Sequence, residues 1–391
     1  MLYRCKAYVH DSHAYRPCIV YNGLLTGPIY VHPCSTTVLR RHYDVGMHIT
    51  VRYLYRQLSP STSPSSMPGL VSWAWGVLAV YLALLLVMDA DLFSSVLCAV
   101  NFRSKAFKNQ VVWITGASSG IGAQLARDLA REGAQVVVSS RRAHELEQVA
   151  DSCEGLRPLV VPLDVTDYSA QKVAYESIVA KFGRVDILVL NAGRTQRAFA
   201  ENFALASTKE LFELNFFAVI NLAKMVVPDM IRRKDGQIVV TSSVAGKIGS
   251  PIQTSYSATK YALQGYFDAL RAEIAQFNIG VLLVCAGPVE SEIVANALLE
   301  PNAQPTSEGK KMPTARCTDL MVRAMYNKNF IQEIWISNQP VLLITYMNVY
   351  LPWLTRQLFT RLIGPGRRKA FLNGESVFDF KVHILSIGLR P

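Results

Sequence analysis

From Lys108 onward the sequence alternates between short, wholly apolar runs and longer amphipathic stretches, a rhythm that few architectures accommodate. The runs are Val111–Ile114, Val136–Val138, Leu159–Leu163, Ile187–Leu190, Ile238–Val240 and Val281–Val284. A strand with no polar alternation is buried on both faces, which calls for a parallel sheet with helices on each side. The fold class expected is therefore α/β, a doubly wound, Rossmann-like parallel sheet of about seven strands. Half of all residues are hydrophobic, which excludes wholesale disorder, and no period for a coiled coil or collagen runs through the chain.

Directly after the first run stands Thr115-Gly116-Ala117-Ser118-Ser119-Gly120-Ile121-Gly122, with a helix expected from about Gly120. Glycines let the backbone turn tightly and approach a pyrophosphate, and the helix N-terminus supplies N–H groups and a positive dipole end. In this strand–turn–helix setting Gly116, Ser118, Ser119, Gly120, Ile121 and Gly122 are expected to hold a dinucleotide. The end of the second strand discriminates between cofactors. An NAD site usually places an acid there for the ribose 2′-hydroxyl. This chain has Ser140, Arg141 and Arg142. With no carboxylate to repel a 2′-phosphate, and with Arg141 able to pair with it, NADP(H) is the expected cofactor. Arg142 reads equally well as a plain surface cation. Asp164 and Val165, after the third strand, are expected beside the adenine, although an acid there can also be a helix cap.

The strongest chemical constellation is Ser243, Tyr256 and Lys260. Tyr256 and Lys260 are four apart, so on a helix starting near Ser255 they share a face. An ammonium beside a phenol is expected to lower the phenol's pKa, making Tyr256 a usable proton donor to a carbonyl near neutral pH. Ser243 ends the fifth strand, at the sheet edge where such folds bind ligands. Ser242 reads as structural and Cys285 as a buried strand residue.

These motifs resemble the short-chain dehydrogenase/reductase superfamily, of the TGxxxGxG and YxxxK type, over roughly Lys108 to Ser337. The resemblance implies Tyr256 as acid/base, Lys260 also on the nicotinamide ribose, Ser243 orienting the carbonyl, and Asn215 positioning a water in the proton relay. Asn191-Ala192-Gly193 is similar to the family's NNAG, with Leu190 in place of its first asparagine. Ala286-Gly287-Pro288-Val289-Glu290-Ser291 is similar to its PGxVxT, which adds Gly287, Val289 and Ser291 to the cofactor contacts. Three further segments, Ser139–Leu146, Lys311–Cys317 and Glu333–Pro340, look most like membrane-bound members. Those act on lipophilic carbonyls such as steroids and retinoids at the endoplasmic reticulum.

The flanks support a membrane setting. The net charge of +11 divides into +5 for residues 1–68, +5 for 356–391 and +1 for everything between, so a nucleic-acid groove through the body is not expected. Basic flanks beside apolar runs more often meet anionic lipid. Residues 1–68 have no sustained period and end in a Ser/Pro tract, and they read as a disordered extension. Met67 precedes the next segment, and residues 1–66 are expected to be missing from some or all of the natural product. Gly69–Met88 is uncharged over 20 residues, long enough at 1.5 Å per residue for a bilayer core of about 30 Å, with Trp73 and Trp75 near one end. It is expected to be a transmembrane anchor, of open orientation. The catalytic domain is expected over 107–340. A second uncharged stretch, Ile334–Leu354, should begin with the last strand; its remainder, within 341–391, fits either a membrane-surface segment or a homodimer interface. Residues 292–310 are expected to form a mobile lid.

Seven scattered cysteines with no C-x-x-C indicate neither a disulfide scaffold nor a metal site. The expected function is NADP(H)-dependent reduction of small lipophilic carbonyls, or oxidation of the corresponding alcohols. The rivals are an NAD-dependent hydroxysteroid or retinol oxidation and a nucleotide-sensing membrane scaffold without turnover.

Overall fold

The computed structural model describes residues 86–100, 105–299 and 311–374, together with 19–20, 29–30, 73, 75–76 and 83–84. The chain divides into two units, Met1–Leu78 and Ala79–Pro391. In the first, Ile19–Val20 pairs antiparallel with Ile29–Tyr30, a short ladder where the sequence shows no strand period. The rest of the 1–68 extension lies outside the described residues, as does most of the expected anchor. Its helical residues that are described, including Trp73, Trp75, Leu84, Leu86 and Val87, are exposed.

The second unit is a three-layer α/β domain. Its elements in chain order are α1 (Leu92–Val100), β1 (Val111–Thr115), α2 (Gly120–Arg131), β2 (Gln135–Ser139), α3 (Ala143–Asp151), β3 (Leu159–Val160), α4 (Tyr168–Phe182) and β4 (Ile187–Leu190). There follow α5 (Leu205–Arg233), β5 (Gly236–Thr241), α6 (Thr254–Ile274), β6 (Ile279–Ala286), α7 (Thr314–Tyr326) and β7 (Glu333–Ile336). The chain closes with α8 (Val341–Tyr350), α9 (Pro352–Leu358) and α10 (Gly364–Leu372). The seven strands are parallel throughout and ordered β3-β2-β1-β4-β5-β6-β7. This is the doubly wound sheet that the six apolar runs foretell, with the seventh strand at the start of the second uncharged stretch.

Alternate residues of each strand feed two cores. Val112, Ile114, Val136, Val138 and Val189 pack with Leu125 and Leu129 of α2, Leu146 of α3 and Met321 of α7. Trp113, Val137, Leu188 and Leu190 pack on the other face with Ile178 of α4, Leu222 and Val226 of α5 and Phe267 of α6. Period-two side chains on a sheet covered on both faces give this division directly. Among the described residues α5 alone is long and apolar enough to cross a membrane. Its Leu222, Val226 and Met230 are nonetheless buried against the sheet, so it is a core helix of the domain.

The outer edge of β7 is closed by the chain's own earlier segment. Ala90 bridges antiparallel to Ile336; Ser337 N–H donates to Asp89 O, and Asp91 N–H to Trp335 O, each at 2.9 Å. At the opposite end of the chain, the 341–374 segment folds back onto the same domain. Asn348 donates to Lys247 O at 2.7 Å, Arg367 to the Ser250 hydroxyl at 2.7 Å, and Phe371 packs edge-on to Phe199. Neither sequence reading of that segment anticipates these contacts, because their partners, Lys247, Ser250 and Phe199, lie a hundred residues or more away.

Candidate active site

The carboxyl ends of β1, β2, β4, β5 and β6 open into one cleft, where the strand order reverses between β1 and β4. Such a switch point leaves the crevice that doubly wound folds use for ligands. All residues expected at the site line it except Gly122 and Asn215, which lie directly behind its wall.

The loops after β1 and β4 hold each other. Thr115 Oγ1 donates to Val189 O at 3.2 Å and accepts from Asn191 N at 3.1 Å, while Asn191 Nδ2 reaches both Thr115 O and Gly116 O at 3.1 Å. Space is tight here. Gly116 has φ +66°, and a Cβ on it would stand 2.8 Å from Ala192 Cα; a Cβ on Gly122 would stand 2.4 Å from Gly116 O. Only glycine satisfies both positions, and the N–H groups opening α2 at Gly120 are left aimed at the cleft. Gly120 in turn fits against Ser291, whose Cβ would lie 2.9 Å from a side chain there.

At the end of β2, Ser140 and Arg141 line the cleft, as does Arg142. Arg142 is more than a surface cation. Its guanidinium donates to Ser118 Oγ at 3.0 Å, Ser119 Oγ at 2.9 Å and Glu292 Oε2 at 3.1 Å, joining the glycine loop to the segment after β6. Asp164 titrates below its ordinary range. Burial alone would raise it, but the N–H and hydroxyl of Thr166, at 2.9 and 2.8 Å, and the charge of Arg141 together outweigh that. The helix-capping role belongs to Asp167, which accepts from Ala170 N at 2.9 Å at the start of α4.

The chemical groups sit on the other side of the cleft. Ser243 follows β5; its hydroxyl donates to Ala286 O and accepts from Ala245 N, both at 3.1 Å. Tyr256 and Lys260 lie one turn apart on α6, both buried. Lys260 Nζ donates to Thr241 O at 2.8 Å and stands 5.7 Å from the centre of the Tyr256 ring. Here one expectation is corrected. The phenol pKa is raised, not lowered, because burial outweighs its hydrogen bond with Ser243 and the charge of Arg197. Burial also brings the ammonium of Lys260 down to about 8. A charge that the carbonyl of Thr241 holds at this distance does not offset the dry surroundings of the phenol.

Asn215 is fully buried on a π-helical turn, Glu213–Phe217, inside α5. Its side chain clasps the backbone of Arg194, accepting from N–H and donating to C=O at 2.9 Å each, and donates to Thr259 Oγ1 at 3.2 Å. π-turns inside α-helices concentrate at functional sites, and this one ties the loop after Gly193 to the helix carrying Tyr256. Asn191, Ala192 and Gly193 line the cleft beside it, with Val165, Gly287 and Val289 around the rim.

Sequence reasoning misses several residues. Gln196 Oε1 accepts from Ser255 N at 2.7 Å and Tyr256 N at 3.1 Å, capping the helix that carries the phenol. A buried glutamine in the two-residue strand Gln196–Arg197 gives no local signal for that. Arg197 and Arg367, both buried, line the substrate end of the cleft although they are far apart in sequence. The described part of the expected lid, 292–299, is pinned: Arg194 donates to Asn296 O at 2.9 Å, and Leu298–Leu299 pairs in parallel with Gln196–Arg197. Ser242 and Cys285 both accept from Gln264, and burial drives the Cys285 thiol far up, so both serve the interior. No cluster of metal-ligating side chains occurs among the described residues.

A family model described as short chain dehydrogenase matches residues 110–302. The human protein named "Dehydrogenase/reductase SDR family member 7" is 42% identical over 265 residues, 64% of this chain and 78% of that protein. Among solved structures, a short-chain dehydrogenase from Streptomyces avermitilis superposes with a TM-score of 0.56 at 26% identity, over 64% of this chain and 96% of its own. A 3-ketoacyl-(acyl-carrier-protein) reductase from Brucella melitensis, complexed with NADH, superposes with a TM-score of 0.50 at 25% identity, over 55% and 90%. With the sheet order, the glycine cradle and the buried Tyr-Lys pair in the same frame, the chain belongs to the short-chain dehydrogenase/reductase superfamily.

Proposed function

We propose that this oxidoreductase is an NADP(H)-dependent carbonyl reductase and alcohol dehydrogenase for lipophilic substrates such as steroids, retinoids or other ketones and aldehydes. It is held at the endoplasmic-reticulum membrane by Gly69–Met88. The observation that carries the reading is the convergence of Ser243, Tyr256 and Lys260 on one wall of a cleft whose other wall is the glycine cradle. The residues present suit a nicotinamide dinucleotide: a Cβ at Gly116 or Gly122 would fill the approach that a pyrophosphate needs. The Brucella reductase, which carries NADH, supports the same cofactor class.

When bound, the nicotinamide supplies or accepts the hydride at its C4. The chain's own part is proton handling and positioning. Ser243 Oγ and Tyr256 Oη face the substrate oxygen from one side, the phenol donating its proton as charge builds there. Lys260 stabilises the resulting phenolate, and Asn215 fixes the loop and helix across which the proton is replaced. Ser118, Ser119, Ser140 and Arg141 form the corner that takes the 2′-phosphate, with Arg142, paired to Glu292, holding the glycine loop beside it. Asp164 and Val165 flank the adenine.

Selectivity tests the cofactor. The double variant Ser140→Asp, Arg141→Ala is expected to weaken NADPH binding by about tenfold or more, the loss of a charge-assisted pair being worth roughly 1.5–3 kcal/mol. NADH affinity should hold or improve in a fluorescence titration. Unchanged preference would shift the reading toward NAD. The pH profile tests Lys260. Its ammonium, lowered to about 8, is present below that pH and lost above it. Accordingly kcat/KM for reduction should hold at lower pH and fall as pH rises through about 8. A limb that stays in place in Lys260→Arg would belong to another group.

A further inference from the structure

One cluster of exposed apolar side chains stands where the uncharged run Gly69–Met88 ends. On α1, Phe93, Val96 and Val100 are 66%, 54% and 75% exposed and share one helix face, while Ser94 and Cys98 are turned inward. A surface helix in water carries the opposite arrangement, polar outside and apolar inside. At the turn between α8 and α9, Tyr350, Leu351 and Trp353 are likewise exposed.

The two segments meet at a single junction. Leu92 N–H donates to the Tyr346 hydroxyl at 2.9 Å, Tyr346 stacks on Tyr350 with ring centres 6.2 Å apart, and Gln339 Nε2 donates to Met88 O at 3.1 Å. Charge sorts the same way. Residues 92–108 and 341–374 contain no Asp or Glu, whereas Arg103, Lys105 and Lys108 follow α1, and Arg356 and Arg361 follow the α8–α9 turn.

We propose that α1 and the α8–α9 turn form one face that lies in the headgroup layer of a bilayer containing anionic lipid, and that α8 joins this contact to the substrate end of the cleft. Exposed apolar side chains on segments that carry cations and no acid of their own match the composition of an interfacial helix. Anionic headgroups complement Lys105, Lys108, Arg356 and Arg361, all of them exposed. A second copy of the chain meeting this face about a two-fold axis would set the same cations against each other, which disfavours a homodimer there. Val341 and Ile344 of α8, and Phe359 just beyond α9, line the cleft, so the helices that touch lipid also wall the substrate cavity. The route for an apolar substrate then runs from the bilayer along α8, without crossing water. This last step rests on the proposed activity; the face itself rests on the anchor alone.

The test uses the full chain reconstituted in vesicles of phosphatidylcholine and phosphatidylserine. A photoreactive benzoylphenylalanine placed at Val96 or Trp353 should yield lipid adducts by mass spectrometry, while one at Val173, equally exposed on α4, should not. Adducts to a second copy, or yields at Val96 and Trp353 no higher than at Val173, overturn the proposal. A Val96→Glu, Trp353→Glu variant should raise KM about tenfold or more for a membrane-partitioning ketone and leave KM unchanged for a small water-soluble dicarbonyl. Equal KM values for the ketone in variant and parent overturn the entry route. Should no carbonyl be reduced at all, the proposed activity fails while the adducts still decide the face.

Discussion

Replacing Tyr256 with phenylalanine is expected to lower kcat for carbonyl reduction by about 10²–10⁴-fold, the usual contribution of a positioned general acid. Nucleotide affinity should be untouched. The ring is held by α6, whose first turn is capped by Gln196, and the change removes one oxygen without altering that packing. What is lost is, among the described residues, the only phenol lining the cleft beside Ser243. Because burial holds its pKa above the ordinary value, the phenol stays protonated across the physiological range and can give its proton to a developing alkoxide. The discriminating measurement is single-turnover NADPH oxidation alongside NADPH fluorescence. Binding that survives while turnover vanishes assigns the proton to Tyr256; turnover that persists at a comparable rate would move the proton source elsewhere.

The second large effect is expected at Gly122. A valine there would place its Cβ 2.4 Å from Gly116 O and 2.7 Å from Asn191 Nδ2. Neither atom can yield, since Asn191 is hydrogen-bonded to both Thr115 O and Gly116 O. Overpacking of this kind costs about 1–3 kcal/mol. The strain falls on the turn that must stay narrow for a pyrophosphate to reach the N–H groups of α2. Nucleotide affinity should therefore fall by about tenfold or more, each 1.4 kcal/mol being a factor of ten. Calorimetry separates the two consequences: a lowered Tm with normal nucleotide affinity would place the damage in folding alone.

The sheet is legible in this sequence because both of its faces are covered. Val111–Ile114, Ile187–Leu190 and Val281–Val284 are uniformly apolar for that reason, and each falls within a strand. The third run is read too long. Only Leu159–Val160 forms a strand, at the sheet margin, where Val161 and Leu163 keep single hydrogen bonds to Val138 O and Ser140 O. Residues that act through a local pattern are equally visible, among them the glycines after β1 and the Tyr256–Lys260 spacing. Residues that act through distant partners are hidden. Gln196 caps a helix some sixty positions later, Arg367 reaches Ser250, and Arg142 declares its tie to Ser118 and Glu292 only once the loops are folded together. The phenol's pKa is hidden for a related reason: spacing shows that a lysine is near, but not how dry the surroundings are.

The segment Asp89–Asp91 that runs along β7 also bears on how the domain behaves outside a membrane. Ala90 is wholly buried, and its bridge to Ile336 occupies the free margin of an otherwise open seven-stranded sheet. Bare margins template pairing between chains. Cutting the chain after Asp91 to free the enzyme from its apolar run would uncover Trp335 and Ile336 and invite edge-to-edge aggregation. A cut made before Met88 keeps the margin sealed, so solubility has a sharp boundary within a handful of residues.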